Sequence, residues 1–172
     1  LYGICLKTTF SSGTMKVAEY VLPGESEESI VINAHNCHAF CCNDDLSGIA
    51  VGIEIIRALQ QLPKRRYTYR LIVAPEHFGS IFYLDSLTDT QADLLKYGFF
   101  LESVGAGGEL ALQRSFIGNT YIDRAFHNAL AAKTNKWRSE LFRKVIGNDE
   151  TCWDSAGYEI PFPSLSRCYG TI

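Results

Sequence analysis

Two histidines and two aspartates, His35, His38, Asp44 and Asp45, lie close together in one stretch. It reads Ala34-His35-Asn36-Cys37-His38-Ala39-Phe40-Cys41-Cys42-Asn43-Asp44-Asp45-Leu46-Ser47-Gly48. Imidazole plus carboxylate is the ligand set of a catalytic zinc site, where water or substrate fills an open position. The stretch follows the β-type run Ser29-Ile30-Val31-Ile32-Asn33 and precedes an apolar, helix-like one over 49–59. These groups therefore occupy a strand-to-helix connection, and open α/β sheets place ligand sites at such strand ends. Ionisable residues recur where other apolar runs stop: Glu76 after Pro75, and Glu102 after Phe99-Phe100-Leu101. In a parallel sheet these ends share one rim. Carboxylates and imidazoles gathered there would repel or stay unpaired unless a cation joined them.

Each residue also has a plainer reading. Asp44 is a natural cap for a helix beginning near Leu46. His35 fits a hydrogen-bonded core histidine, and Glu76 fits a solvated turn. Glu102 is embedded in an apolar run, so its charge needs a partner. His38 is either a ligand or a neighbour of the site. His77 is a surface or supporting group, and His127 is structural on a helix.

Strand and helix signals alternate along the chain around these residues. Residues 3–10 and 15–21 read as strands joined by a Ser-Ser-Gly turn, which predicts a hairpin. Residues 29–33 are a short buried strand of the parallel kind. A buried helix spans 46–62 and stops at Pro63. A strand over 67–74 follows, then helices over 81–87 and 90–97, and strands over 98–104 and 110–113. An amphipathic helix covers 120–134 with Asn119 as its cap. Strands over 141–146 and 160–165 complete the pattern. This alternation predicts an α/β fold of three layers, αβα, around a mixed, mainly parallel sheet.

The 172 residues suffice for a single domain over 1–172. A start at Leu1-Tyr2-Gly3-Ile4-Cys5 and a strand-like ending at 168–172 suggest part of a longer chain, with other domains of that chain as partners. Hydrophobic residues make up 47% and charged residues 20%, a composition typical of globular domains. The net charge of -3 leaves no electrostatic footprint for nucleic acid or an anionic membrane. Lys64-Arg65-Arg66 is the basic run, read as a solvated loop. The six cysteines match neither a paired zinc motif nor a disulfide framework. Reduced, packed thiols imply a reducing, cytoplasmic setting.

The ordered motifs resemble a known family. Val31-Ile32-Asn33-Ala34-His35, then Asn43-Asp44-Asp45-Leu46-Ser47-Gly48, is similar to the zinc aminopeptidases that include bacterial leucyl aminopeptidases and glutaminyl cyclases. Asn148-Asp149-Glu150 through Gly157-Tyr158-Glu159-Ile160-Pro161 resembles that family's Ser-Asp-His…Gly-Ile-Pro segment. The nearest pattern is an aminopeptidase-like branch often encoded among polysaccharide-biosynthesis genes. Its motifs compare with His35-Asn36-Cys37-His38-Ala39 and Pro75-Glu76-His77-Phe78-Gly79-Ser80. The resemblance runs from about Gly13 to the end of the chain.

This resemblance implies a zinc-peptidase fold holding one or two zinc ions. His35 and Glu102 would bind one zinc, Glu76 the other, and Asp44 would bridge them; His38 joins the candidate metal ligands on its own position beside them. Asp45, Cys37 and Asp149 would support those ligands. Three departures stand out. Pro75 occupies the position of the family's general-base Glu, so proton transfer falls to Glu76 or His77. Glu102 stands where an Asp is usual. The family's last metal-binding His lies beyond Ile172.

The leading expectation is a metal-dependent hydrolase acting on a small peptide or amide. A second is a binding module of the same fold that has lost catalysis, motivated by Pro75. A third is a cysteine enzyme pairing Cys37 with His35 or His38.

Overall fold

The computed structural model describes residues 2–167. Cys168 and the strand-like ending expected over 168–172 lie outside the described residues. Strand β1 (Ala18–Leu22) precedes β2 (Ser29–His35), which leads through a wide turn at Cys42–Leu46 into α1 (Ser47–Gln60). Then come β3 (Thr68–Ala74), α2 (Phe78–Asp85), α3 (Asp89–Asp93), β4 (Leu95–Glu102) and β5 (Leu110–Gln113). Helix α4 (Tyr121–Lys133), β6 (Trp137–Glu140), the short α5 (Glu150–Trp153) and β7 (Ser164–Arg167) follow.

The described residues form a seven-stranded sheet in the order β1-β3-β2-β4-β7-β5-β6. Strands β3, β2, β4 and β7 run parallel, β1 and β5 pair antiparallel with β3 and β7, and β6 is parallel to β5. The mixed, mainly parallel sheet expected from the alternation is therefore present. β2 is buried along its whole length, which is why Ser29-Ile30-Val31-Ile32 is apolar without alternation. Its two faces feed two cores. Ile30 and Ile32 pack with Leu71, Phe99 and Leu101, together with Ile56 of α1 and Ile122 of α4. Val31 packs with Ile72 and Phe100, under Leu84 of α2 and Trp153 of α5. Helices on both faces make the three layers.

From β2 the chain crosses to β3 on one side, whereas β4 leads on toward the opposite half of the sheet. Strand ends that diverge in this way open a crevice between them. His35 closes β2 and Glu102 closes β4, so both belong to that crevice.

Several local expectations are corrected. Of the hairpin expected over 3–21, the second strand forms as β1 (Ala18–Leu22) and the first does not. Residues 2–16 lie outside any strand, and Tyr2, Ile4, Leu6 and Phe10 are almost fully exposed. Alternation alone stabilises no strand without a partner and a face to bury. Residues 141–146 form no strand; Trp137–Glu140 pairs with β5 in their place. The backbone N–H groups of Val145 and Ile146 donate to Gln113 Oε1, at 2.9 and 3.0 Å, so their pairing capacity goes to a side chain. Residues 95–97, expected in a helix, begin β4. Helix α4 is capped by Thr120 rather than Asn119, in a reciprocal box with Asp123. Arg65 is less free than a solvated loop residue: its Nη1 donates to the Leu59 and Leu62 carbonyls at the end of α1.

Gly98 shows how closely β4 approaches its neighbours. A methyl group there would land inside the ring of Phe162, which is fully buried. Gly98→Ala is expected to cost about 1–3 kcal/mol through overpacking. The check is chemical denaturation of the variant against the parent.

Candidate metal centre

Three groups meet where β2 and β4 end. His35 is fully buried, and its ring stacks on Phe100 at 5.9 Å between centroids. That packing turns Nε2 toward two carboxylates, 3.1 Å from Glu102 Oε2 and 3.2 Å from Asp44 Oδ1. Asp44 Oδ1 is buried and has no hydrogen-bond partner. An acceptor stripped of water and given no donor is costly, and a cation is the natural complement. Ligands about 2.0–2.2 Å from zinc lie a little over 3 Å apart, which matches the two separations from His35 Nε2; His35, Asp45 and Glu102 also have ligand atoms that all lie within 4.8 Å of one another. The donor set, one imidazole nitrogen and two carboxylate oxygens, suits zinc.

Asp45 holds this arrangement together. It is almost wholly buried, and its two oxygens receive three backbone N–H groups. Oδ2 accepts from His35 at 3.4 Å, while Oδ1 accepts from Gly48 and Ser103 at 3.0 Å each. One carboxylate thus ties the ends of β2 and β4 to the start of α1. A side chain at Gly48 would collide with that carboxylate, so glycine is required there for close approach. The expected capping role accordingly belongs to Asp45, not Asp44. The peptide between the two aspartates is cis.

A second group lies beside the first. His38 Nε2 is 3.6 Å from Glu76 Oε2, and its Nδ1 is 3.9 Å from Asp44 Oδ1. Asp44 therefore stands between the His35–Glu102 pair and the His38–Glu76 pair. Cys37 is placed among them: its Sγ accepts the Glu76 N–H at 3.3 Å and sits 3.4 Å from His38 Nδ1 and 3.8 Å from His35 Nδ1.

Of the remaining residues singled out in the sequence, Asp149 is fully buried and accepts the His77 backbone N–H through Oδ1. The His77 ring lies against Cys152 rather than against His35, with Nδ1 3.8 Å from Sγ. His127 packs edge-on against Trp137, as a structural histidine would. Sequence reasoning missed Asn148, whose Nδ2 donates to Glu102 Oε2 at 3.0 Å. Its own N–H is held by Glu150, which Gln113 also contacts. The available signal was a polar Asn-Asp-Glu triplet that the fold buries completely or nearly so.

Charge is strained here without a cation. Burial disfavours a charged His35, but the hydrogen bond and charge of Glu102, aided by Asp45 and Glu76, lift its pKa from 6.5 to about 9. Burial, and then the Glu102 charge, raise Asp45 from 3.8 to about 7, against the opposing pull of its N–H donors and His35. In both cases the folded state holds its proton more tightly than the unfolded state. The His35 contribution is present below about pH 6.5 and lost through about 9; that of Asp45 is present below about 4 and lost through about 7. Chelator-treated protein should therefore lose thermal stability as pH rises across this window. Zinc affinity should rise over the same range, because ligation displaces the His35 proton. Thermal melts with and without zinc at several pH values check both trends.

A polysaccharide biosynthesis protein, provisionally so named, with an aminopeptidase-like domain from Clostridium acetobutylicum is 34% identical over 171 residues, 98% of this chain and 38% of its own length. The crystal structure of a provisionally named peptidase from the same species superimposes with TM-score 0.82 at 34% identity, over 90% of this chain and 36% of that one. The Bacillus subtilis zinc aminopeptidase BSAP superimposes with TM-score 0.75 at 19% identity, over 88% of this chain and 39% of that one. The chain thus spans well under half the length of each of these relatives, and it has the zinc-aminopeptidase fold expected from its motifs. The model of the family described as Domain of unknown function (DUF4910) matches residues 8–171, and the chain belongs to that family.

Proposed function

We propose that this domain is a zinc-dependent, aminopeptidase-like hydrolase that cleaves a peptide or amide bond. The observation that carries the reading is the convergence of His35 Nε2, Asp44 Oδ1 and Glu102 Oε2 within 3.2 Å of the imidazole, with Asp44 Oδ1 buried and lacking a donor. His35 and Glu102 would hold one zinc and His38 with Glu76 the other, with the Asp44 carboxylate beside both groups. Zinc bound here supplies Lewis acidity, which polarises the scissile carbonyl and makes a water acidic enough to attack near neutral pH.

The side chains around it carry the remaining tasks. Asp45 and Asn148 fix the ligand-bearing strand ends, and Cys37 orients both imidazoles from their Nδ1 sides. Pro75 brings no proton acceptor to the position before Glu76. Proton transfer from water to the leaving amine falls to Glu76, whose side chain is partly exposed and within reach of His38.

The test uses the full-length protein loaded with two zinc equivalents and a panel of aminoacyl amides and peptides. Release of an amine that stops on chelation and returns with zinc supports the reading. Full zinc occupancy without turnover rejects hydrolysis. That outcome would favour a second reading, a ligand-binding domain that has lost its base, for which Pro75 is the motivating residue. Pro75→Glu should then raise turnover by roughly 10²-fold or more, the usual contribution of a positioned base.

A further inference from the structure

We propose that His77, Asp149 and Cys152 form a separate site for a sulfur-seeking divalent cation such as zinc, where the start of α2 meets α5. His77 is distant in sequence from Asp149 and Cys152, which flank the start of α5, yet the three ligand atoms all lie within 4.8 Å of one another. His77 Nδ1 and Cys152 Sγ are 3.8 Å apart. Nitrogen and sulfur ligands about 2.1 and 2.3 Å from a tetrahedral zinc are spaced by about 3.6 Å, so this pair already has nearly the separation of one tetrahedral edge.

Asp149 provides the independent observation. The residue is fully buried; Oδ1 is engaged by the His77 N–H, whereas Oδ2 is buried with no partner at all. A dry carboxylate oxygen with no donor is a cost that a folded chain rarely carries without a compensating group. A cation bound by the Cys152 sulfur, with loss of its proton, and by the His77 imidazole would compensate it. The same Asp149 contact holds His77 in the left-handed region, φ 55°, and so delivers the ring to Cys152. His77 and Cys152 are both partly exposed, which leaves an entry path and a fourth position for water.

This site shares no ligand with the His35–Asp44–Glu102 group. Its ligands are softer, with a thiolate in place of a second carboxylate, and that selects zinc or cobalt over magnesium or calcium. An ion here would pin the segment beginning at His77, and with it the strand exit that presents Glu76. Its role is to hold the rim in place, and it stands whether or not the domain hydrolyses anything.

Cobalt(II) alone is the probe, added to chelator-stripped full-length protein. The expected result is a sulfur-to-cobalt charge-transfer band that persists in Asp44→Asn and disappears in Cys152→Ser, which also binds one metal equivalent fewer. His77→Ala, checked for fold by circular dichroism, should weaken the cobalt affinity read from that band by about tenfold or more. The proposal is overturned if no band forms at stoichiometric cobalt. It is equally overturned if the band survives Cys152→Ser and is lost in Cys37→Ser, which would place the thiolate in the crevice between β2 and β4.

Discussion

Asp44→Asn is expected to lose most of its zinc and to slow hydrolysis by about a thousandfold or more, close to 4 kcal/mol of transition-state stabilisation at roughly 1.4 kcal/mol per tenfold. The substitution keeps size and shape but removes the charge from a carboxylate that lies 3.2 Å from His35 and 3.9 Å from His38. Because Asp44 Oδ1 has no hydrogen-bond donor to lose, the fold should survive with little change in melting temperature once zinc is removed from both proteins. The neighbouring Asp45→Asn behaves in the opposite way. Its carboxylate receives three backbone N–H groups, and an amide in that place turns an N–H₂ toward donors, so stability falls first and zinc binding follows. Elemental analysis, turnover and chelator-treated melts on the two variants separate these roles. An Asp44→Asn protein with full zinc content and parental turnover would remove the basis for the hydrolase reading.

Trp153→Ala is the substitution expected to cost the most stability, about 3–5 kcal/mol. Trp153 is fully buried, stacks on Phe162 with centroids 5.0 Å apart, and lies 5.8 Å from the Tyr83 ring. Its Nε1 donates to Asn33 Oδ1 at 3.2 Å, in the middle of the most buried strand. Truncation leaves a cavity and also strips that amide oxygen of its indole donor, leaving it the longer Ser80 contact. Against a total of roughly 5–15 kcal/mol for a domain, this is a large fraction. Trp153→Phe keeps most of the ring packing and loses the N–H, so its cost should be nearer 1–3 kcal/mol. Urea unfolding followed at two wavelengths gives both values. A loss below 1 kcal/mol for the alanine variant would mean that the core between α5 and the sheet is not packed as described.

The run Ser29-Ile30-Val31-Ile32 announced a buried strand because a strand covered on both faces has no solvent side to alternate with. β2 is that strand, and it continues to His35. Leu141 to Ile146 carried a similar local signal and failed, because the antiparallel pairing of β5 with β7 left the other edge of β5 to Trp137–Glu140. Strand choice there is a long-range competition that no window of the sequence contains. The N-terminal alternation failed for the same reason in reverse: residues 2–16 have strand-like chemistry and no packed face.

The site divides along the same line. Residue type and position at strand ends pointed to His35, Asp44, Glu76 and Glu102, since an acid or imidazole that ends an apolar strand is bound to the rim by the sheet's own geometry. The division of labour between Asp44 and Asp45 was not legible, because it depends on which carboxylate turns toward the N–H groups of His35, Gly48 and Ser103. Nor was the contact of Asn148 with Glu102 across 46 positions, or the meeting of His77 with Cys152 across 75. By itself the sequence determined the alternating elements, the buried β2 strand and the chemistry gathered at the strand ends, because those follow from local periodicity and from what a buried charge requires. Only the tertiary structure decided the strand order, the choice of β6 and the second circle of side chains. Those depend on which distant surfaces bury one another.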